Sequence, residues 1–336
     1  MTSTPSPHPR LALYDAGDRP APLPVCDHYA GVEARMKKSL ALQAELGPVF
    51  DVTLDNEDGA PVGGEMDRAQ MIAALLGSAE NRHGRVGVRL LPLTHPAFGD
   101  VLATVLRAAK APAYLMLPKP ECLADIDSAA VAIAAAGGAA VPLHALIETH
   151  GALRQVFDIA AHPRIESLSF GLMDFVSAHR GAIPLSAMSA EGQFDHPLVV
   201  RAKLEISAAC HAHGKTPSHC VVTEFKDKQA LQDAATMASR MLGCTRMWSI
   251  HPDQIRPIVE AFAPSTAEID EAIAILRAAQ DAAWAPIRHA DTLHDRASYR
   301  YFWHLLQRAQ ATSMAGGAQL PVEVRAAWFD PAPEAA

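Results

Sequence analysis

Apolar residues along this chain fall into two alternating patterns. Short runs of β-forming residues occur at "APLPVCDHY", "VFDVTLDNED", "RVGVRLLP", "AYLMLPKPE", "AVPLHALIET", "IESLSFGLMD", "HCVVTEF" and "RMWSIHP". Between them lie Ala- and Leu-rich segments whose apolar positions recur every three or four residues, the spacing of one helix face. In "KQALQDAATMASRMLG" the stripe is Leu231, Ala235, Ala238 and Met241, with Gly243 just past the end. In "STAEIDEAIAILRAAQDAAW" it is Ile269, Ile273 and Leu276, with Ser265 or Thr266 as N-cap. Strands alternating with helices imply parallel strands joined by crossover helices. Eight of them is the count of a closed (β/α)8 TIM barrel, an α/β fold. No GxGxxG or Walker loop follows any run, which argues against an open nucleotide-binding sheet.

Polar residues stand at the C-terminal ends of nearly all the runs. They are Asp27 and His28 on the first, Asp55, Glu57 and Asp58 on the second, and Arg89 on the third. Lys119 and Glu121 follow on the fourth, then Glu148, Asp174, Glu224 and His251 on the fifth to eighth. In an open sheet the second and sixth ends would lie about 19 Å apart, whereas closing the sheet gathers them around one mouth. The barrel is expected to fill residues 1–263, with residues 1–20 as a loose N-terminal arm. Residues 264–336 are expected to form a C-terminal helical extension or lid with a tail.

Composition narrows the partners. The 336 residues carry a formal charge of −8 and no basic block, so a nucleic-acid partner is not expected. The most apolar stretch, "AAVAIAAAGGAAVPL", is too short for a membrane span and is broken by Gly137, Gly138 and Pro142. The N-terminus has no secretion-like apolar run, and the five scattered cysteines form no CxxC pair. A soluble, cytoplasmic protein is the expectation.

Glu148 and Asp174 end adjacent strands. Two ionised carboxylates about 4 Å apart repel by roughly 4 kcal/mol at an effective dielectric near 20, so such a pair needs a shared proton, a basic partner or a cation. Hard oxygen ligands on a rigid rim suit Mg²⁺, with Mn²⁺ as the alternative; helix capping or pairing with arginine would equally account for each acid. Arg89 could grip a substrate carboxylate or pair with the acids of the second strand, and the two are compatible. Lys119, held extended between Pro118 and Pro120, should keep its proton among so many carboxylates and is not expected to act as a nucleophile. His251 could shuttle protons or simply bond a neighbouring loop. The "CHAHG" run ending at Gly214 reads as a helix terminus and not as a metal site.

Six motifs in order resemble the HpcH/HpaI aldolase and citrate lyase β-subunit superfamily, from about residue 48 to residue 278. They are "LDNED", "VRLLP", "LPKPE", "ALIETHGAL", "FGLMDF" and "SIHPDQI". The resemblance implies a barrel of the pyruvate kinase-like class, with Glu148 and Asp174 as Mg²⁺ ligands and Arg89 touching the substrate. It implies further that Glu57 and Asp58 support the substrate and the water shell of the ion. Lys119 and His251 are kept as substrate-binding candidates. Asp295, in "DTLHDRASYRYFWHLLQRA", is the nearest counterpart of an acid that CoA-dependent relatives carry on a C-terminal lid. Tyr299, Tyr301, Phe302 and Trp303 read as a packing cluster at a subunit contact.

Three departures from the family pattern stand out. "LPVCDHYAG" occupies the place of the usual Arg-Ser strand, Leu91 that of an Asn, and Arg246-Met247 that of a Gly-Lys. The expected activity is Mg²⁺-dependent cleavage of a 2-hydroxy dicarboxylic unit, as a CoA thioester such as malyl-CoA or citramalyl-CoA, to a 2-oxo acid and an acyl-CoA. A malyl-CoA-type thioesterase and a subunit of a lyase complex without catalysis of its own are the alternatives. A homotrimer or hexamer is the expected assembly.

Overall fold

The structure, a computed structural model, describes residues 7–14, 23–60 and 62–330. It divides into two compact units, one of residues 23–262 and one of residues 1–22 with 263–336.

The first unit is a closed parallel barrel of eight strands in sequence order. These are β1 (Cys26–Ala30), β2 (Phe50–Asp55), β3 (Val86–Arg89), β4 (Leu115–Leu117), β5 (Leu143–Ile147), β6 (Ile165–Phe170), β7 (Thr216–His219) and β8 (Arg246–Ser249). The register that closes it is Cys26 against Met247, Asp27 against Trp248 and His28 against Ser249. Crossover helices bury their stripes outside the strands. On Lys228–Arg240 the buried positions include Leu231, Ala235 and Ala238, but the helix ends before Met241, which is 69 % exposed.

The seventh strand is not where the apolar run suggests. β7 is "TPSH", and "CVV" lies in the loop after it, buried, with the Val222 carbonyl accepting from Gln254 Nε2 at 2.7 Å. Pro217 supplies no N–H, yet its carbonyl still accepts from Thr245 N at 3.1 Å. Burial, not propensity, makes this a strand. Glu224 therefore does not end a strand, and its Oε1 accepts from Ala190 N at 3.0 Å.

Inside the barrel the side chains stack in contacting tiers. The deepest is polar: Arg246, fully buried, pairs with Asp51 at 2.6 Å and Asp27 at 3.2 Å, and Arg85 pairs with Asp51 at 2.7 Å. The Tyr114 hydroxyl meets Asp27 and Thr53, and its ring stacks on His144 at 3.9 Å. Above this, Tyr29, Met116, Leu146 and Trp248 pack together as a mainly apolar tier. The Arg89 guanidinium lies over the Tyr29 and Trp248 rings, 5.4 and 5.7 Å from their centroids, and belongs to the mouth.

The second unit joins helices Thr266–Asp281, Arg296–Thr312 and Val322–Trp328 with a hairpin of Ile287–His289 and Thr292–His294. Ser265 is the N-cap of the first helix and shares a capping box with Glu268. Ile269, Ile273 and Leu276 are buried there as the periodicity requires. The segment at residues 7–14 is not a loose arm. It forms a short helix, Pro9–Leu13, whose Leu13 is buried with Ile269 and Trp303, and its Leu13 carbonyl accepts from Arg300 Nε at 2.8 Å. Most of the expected N-terminal arm otherwise lies outside the described residues. The aromatic cluster is also reassigned: Tyr299, Phe302 and Trp303 fill the core of this unit, and Tyr301 alone faces outward.

Candidate active site

The acidic stretch after β2 folds around one carboxylate. Asp55 accepts from the N–H groups of Glu57 and Gly59, each at 2.9 Å, which wraps the chain into a tight turn. A Cβ on Gly59 would fall 2.0 Å from Asp55 Oδ2, so only glycine lets the turn close. The same carboxylate holds Arg89 through Nε at 2.7 Å and through Nη2, and Glu57 takes Nη1 at 3.0 Å. Arg89 is thereby fixed as a buried cation, with its pKa raised further: burial opposes this, but Asp55 and Glu57 outweigh it.

Lys119 ties the second strand end to the fifth and sixth. It is not extended between its prolines: its φ is +50°, left-handed, and its successor is Pro120. That conformation costs a non-glycine residue about 1–3 kcal/mol, and more favourable contacts must offset it. They do. The Lys119 N–H donates to Glu148 Oε1 at 2.9 Å, and Nζ reaches Glu57 at 2.8 Å, Asp58 at 2.7 Å and Asp174 at 3.6 Å. Desolvation pulls the ammonium pKa down, but hydrogen bonds to Asp58 and Glu57 win and raise it, so it stays charged.

Glu148, the residue after β5, is 3 % exposed. Its carboxylate has one backbone donor and, among the described residues, no cation paired with it. Burial first, then the charge of Asp174, pushes its pKa up to about 8. Gly171 makes room for it, since a Cβ there would lie 2.1 Å from Glu148 Oε2. Asp174 sits in the first turn of the helix Leu172–Ser177 with its side chain 42 % exposed. Burial also raises Glu57, against the pull of Arg89 and Lys119; Asp58 lies below its usual range because Lys119 overcomes desolvation.

Four carboxylates, Asp55, Glu57, Asp58 and Asp174, thus share two cations, Arg89 and Lys119, while Glu148 takes only the Lys119 backbone N–H. No three His, Cys, Asp or Glu side chains among the described residues converge as a ready-made cage. The arrangement fits a small hard divalent ion held by one or two carboxylates with its other positions given to water and substrate. The excess negative charge and the unpaired buried Glu148 are what such an ion would relieve.

The structure brings together Glu57, Asp58, Arg89, Lys119, Glu148 and Asp174. His251 lies apart from their contacts, stacked on Phe225 at 5.0 Å, with Nδ1 accepting from Asp253 N at 3.2 Å. Asp295 is exposed and caps the helix Arg296–Thr312, accepting from Ala297 N at 3.0 Å. The "CHAHG" histidines belong to a helix end, with His211 Nε2 2.8 Å from the Gly243 carbonyl. Sequence reasoning missed the organising role of Asp55. Its position two residues before Glu57 and three before Asp58, with glycine following, is an Asx-turn signal that could have revealed it. A recess of about 340 Å³ opens beside Lys119, walled by Leu91, Leu117, Pro118, Pro120 and Ile126.

Comparison with known proteins finds relatives in sequence and in fold. A citrate lyase from Burkholderia xenovorans LB400 has a similar structure, with TM-score 0.82 and 55 % sequence identity, covering 96 % of this chain and 99 % of that one. The L-malyl-CoA/β-methylmalyl-CoA lyase of Cereibacter sphaeroides is 29 % identical over 296 residues, 82 % of this chain and 85 % of that protein. The CitE protein of Mycobacterium tuberculosis, solved with magnesium, acetoacetate and coenzyme A, shares the fold at TM-score 0.66 and 21 % identity, over 87 % of this chain and 99 % of that one. The family model for HpcH/HpaI aldolase/citrate lyase matches residues 39–252, which spans every strand after β1 and the whole acid cluster. The chain belongs to the HpcH/HpaI aldolase/citrate lyase family.

Proposed function

We propose that this protein is a Mg²⁺-dependent carbon–carbon lyase. It would cleave the 2-hydroxy acid end of a dicarboxylic CoA thioester of the malyl-CoA or citramalyl-CoA type, giving a 2-oxo acid and an acyl-CoA. The observation that carries the reading is the buried Glu148 carboxylate, without a paired cation, beside Asp174 at the barrel mouth. The malyl-CoA substrate named for the Cereibacter relative and the magnesium, acetoacetate and coenzyme A bound by the Mycobacterium protein point the same way.

Glu148 and Asp174 would hold the ion, which would supply Lewis-acid polarisation to the hydroxy acid oxygens when bound. Arg89, immobilised by Asp55 and Glu57, places a fixed positive charge where a substrate carboxylate must dock. Glu57, kept above its usual range by burial, accepts the substrate hydroxyl proton. The bond between the hydroxyl-bearing carbon and its neighbour then breaks, its electron pair passing to the thioester carbonyl as an enolate. Return of the proton held by Glu57 to the enolate carbon then gives the acyl-CoA and restores the Glu57 carboxylate. Lys119 holds Glu57 and Asp58 in register throughout and stays protonated. The recess beside it, whose apolar walls are joined by Thr94, Glu121 and Asp125, would receive part of the thioester.

The test is product analysis by mass spectrometry with malyl-CoA and Mg²⁺. Glyoxylate with acetyl-CoA is the expected pair; free CoA with intact malate would make the protein a thioesterase. Glu148→Gln keeps an acceptor for the Lys119 N–H but loses the charge, and cleavage should fall at least about 100-fold. Full activity in that variant would remove the metal assignment.

A further inference from the structure

Two hydrogen-bond donors at the floor of the mouth have nothing to bond. The Tyr29 hydroxyl and the Trp248 indole N–H are both buried and have no hydrogen-bond partner among the described residues. They are neighbours: their rings lie 4.3 Å apart, tilted by 35°, and both support the Arg89 guanidinium. Tyr114, also buried, shows the contrast, since its hydroxyl is engaged by both Asp27 and Thr53. Buried polar groups are almost always satisfied, and an orphaned pair costs free energy unless something else meets it.

The chemistry of the pair says what that would be. Indole N–H can only donate, and burial raises the Tyr29 phenol well above its usual pKa, so it too remains protonated. Arg89, against the same rings, is already paired with Asp55 and Glu57, so the floor itself supplies two donors and calls for an oxygen that accepts. Met116 and Leu146, the rest of the tier, offer no acceptor side chain, and although the Asp27 and Asp55 charges are felt at Tyr29, neither carboxylate hydrogen-bonds its hydroxyl.

We propose that Tyr29, assisted by Trp248, hydrogen-bonds an anionic oxygen of the substrate, the carboxylate of its 2-oxo or 2-hydroxy acid end, on the floor beneath Arg89. This rests on the lyase reading above and adds to it a substrate contact from β1, a strand that lies before the residues matched by the family model.

The sign of two effects separates a binding role from a structural one. Removing an unsatisfied buried hydroxyl should leave the fold as stable or make it more so. Removing a donor to a charged oxygen should weaken that ligand by roughly ten- to a hundredfold. Tyr29→Phe should therefore show an unchanged or higher melting midpoint without ligand and unchanged binding of Mg²⁺ alone. Its calorimetric affinity for pyruvate or oxaloacetate in the presence of Mg²⁺ should drop by that factor. Trp248→Phe should weaken the same ligands by a smaller factor, and serves if the first variant does not fold. Wild-type affinity in both variants would overturn the inference and leave the lyase reading standing. If the wild-type protein with Mg²⁺ binds neither oxo acid, both fall.

Discussion

Glu148 is the residue on which the account turns, and its titration can be followed without substrate. Its carboxyl, near 4.5 when free, is pushed to about 8 by burial and by Asp174. The native metal-free protein therefore keeps a proton that the unfolded chain has released between these values, and stability must fall as pH rises from about 4.5 to 8. Melting curves of metal-free protein should show that decline, worth on the order of a few kcal/mol at most, and Glu148→Gln should remove most of it. A wild-type slope surviving in the variant would mean that another group is responsible. Tyr29 and Trp248 belong at this scale as well. They were invisible to pattern reasoning because being unpartnered is a property of three-dimensional neighbours. The left-handed Lys119 was hidden in the same way: prolines on both sides suggested an extended backbone, and contacts to four acids overrode them.

Elements place these residues through close approach. β6 runs into Gly171 where β5 delivers Glu148, and only a missing Cβ lets the two chains share the space. Gly171→Ala should destabilise the protein by about 1–3 kcal/mol and weaken Mg²⁺ binding together, read by denaturant unfolding and metal titration. An alanine variant with undisturbed Mg²⁺ affinity would show that the carboxylate can shift at no cost. On β1, His28 bonds Ser249 of β8 at 2.9 Å, and burial, then the charge of His251, lowers its pKa to about 4. It folds neutral, so its contribution is complete above about 6.5 and is lost as pH falls from 6.5 towards 4. His28→Asn should flatten that acid limb of the stability profile; an equally steep limb would exonerate His28. Seven of the eight strands were legible because apolar runs and turn residues bounded them. β7 was misplaced because "TPSH" has neither apolar content nor β propensity, and the barrel closes around it through burial.

For the whole molecule, alternation in the sequence was enough for the barrel, and closure was enough to gather Glu57, Asp58, Arg89, Lys119, Glu148 and Asp174. The deeper polar tier was not legible: Asp51, Arg85 and Arg246 lie far apart in sequence and meet only because strands two, three and eight converge inside. The second unit was foreseen as helical, but its core was not, since Pro9–Leu13 comes from the other end of the chain. Trp303, fully buried among Leu13, Ile269 and Trp328, is its keystone; Trp303→Ala should cost about 3–5 kcal/mol in that unit, measured by hydrogen exchange across residues 266–328. Unchanged protection there would contradict the packing described. The most direct test of the central claim is calorimetric titration of metal-free protein with Mg²⁺ near pH 7. One ion should bind per chain with release of close to one proton, displaced from Glu148, and Glu148→Gln should bind none under the same conditions. Equal Mg²⁺ affinity in the two proteins would contradict the account.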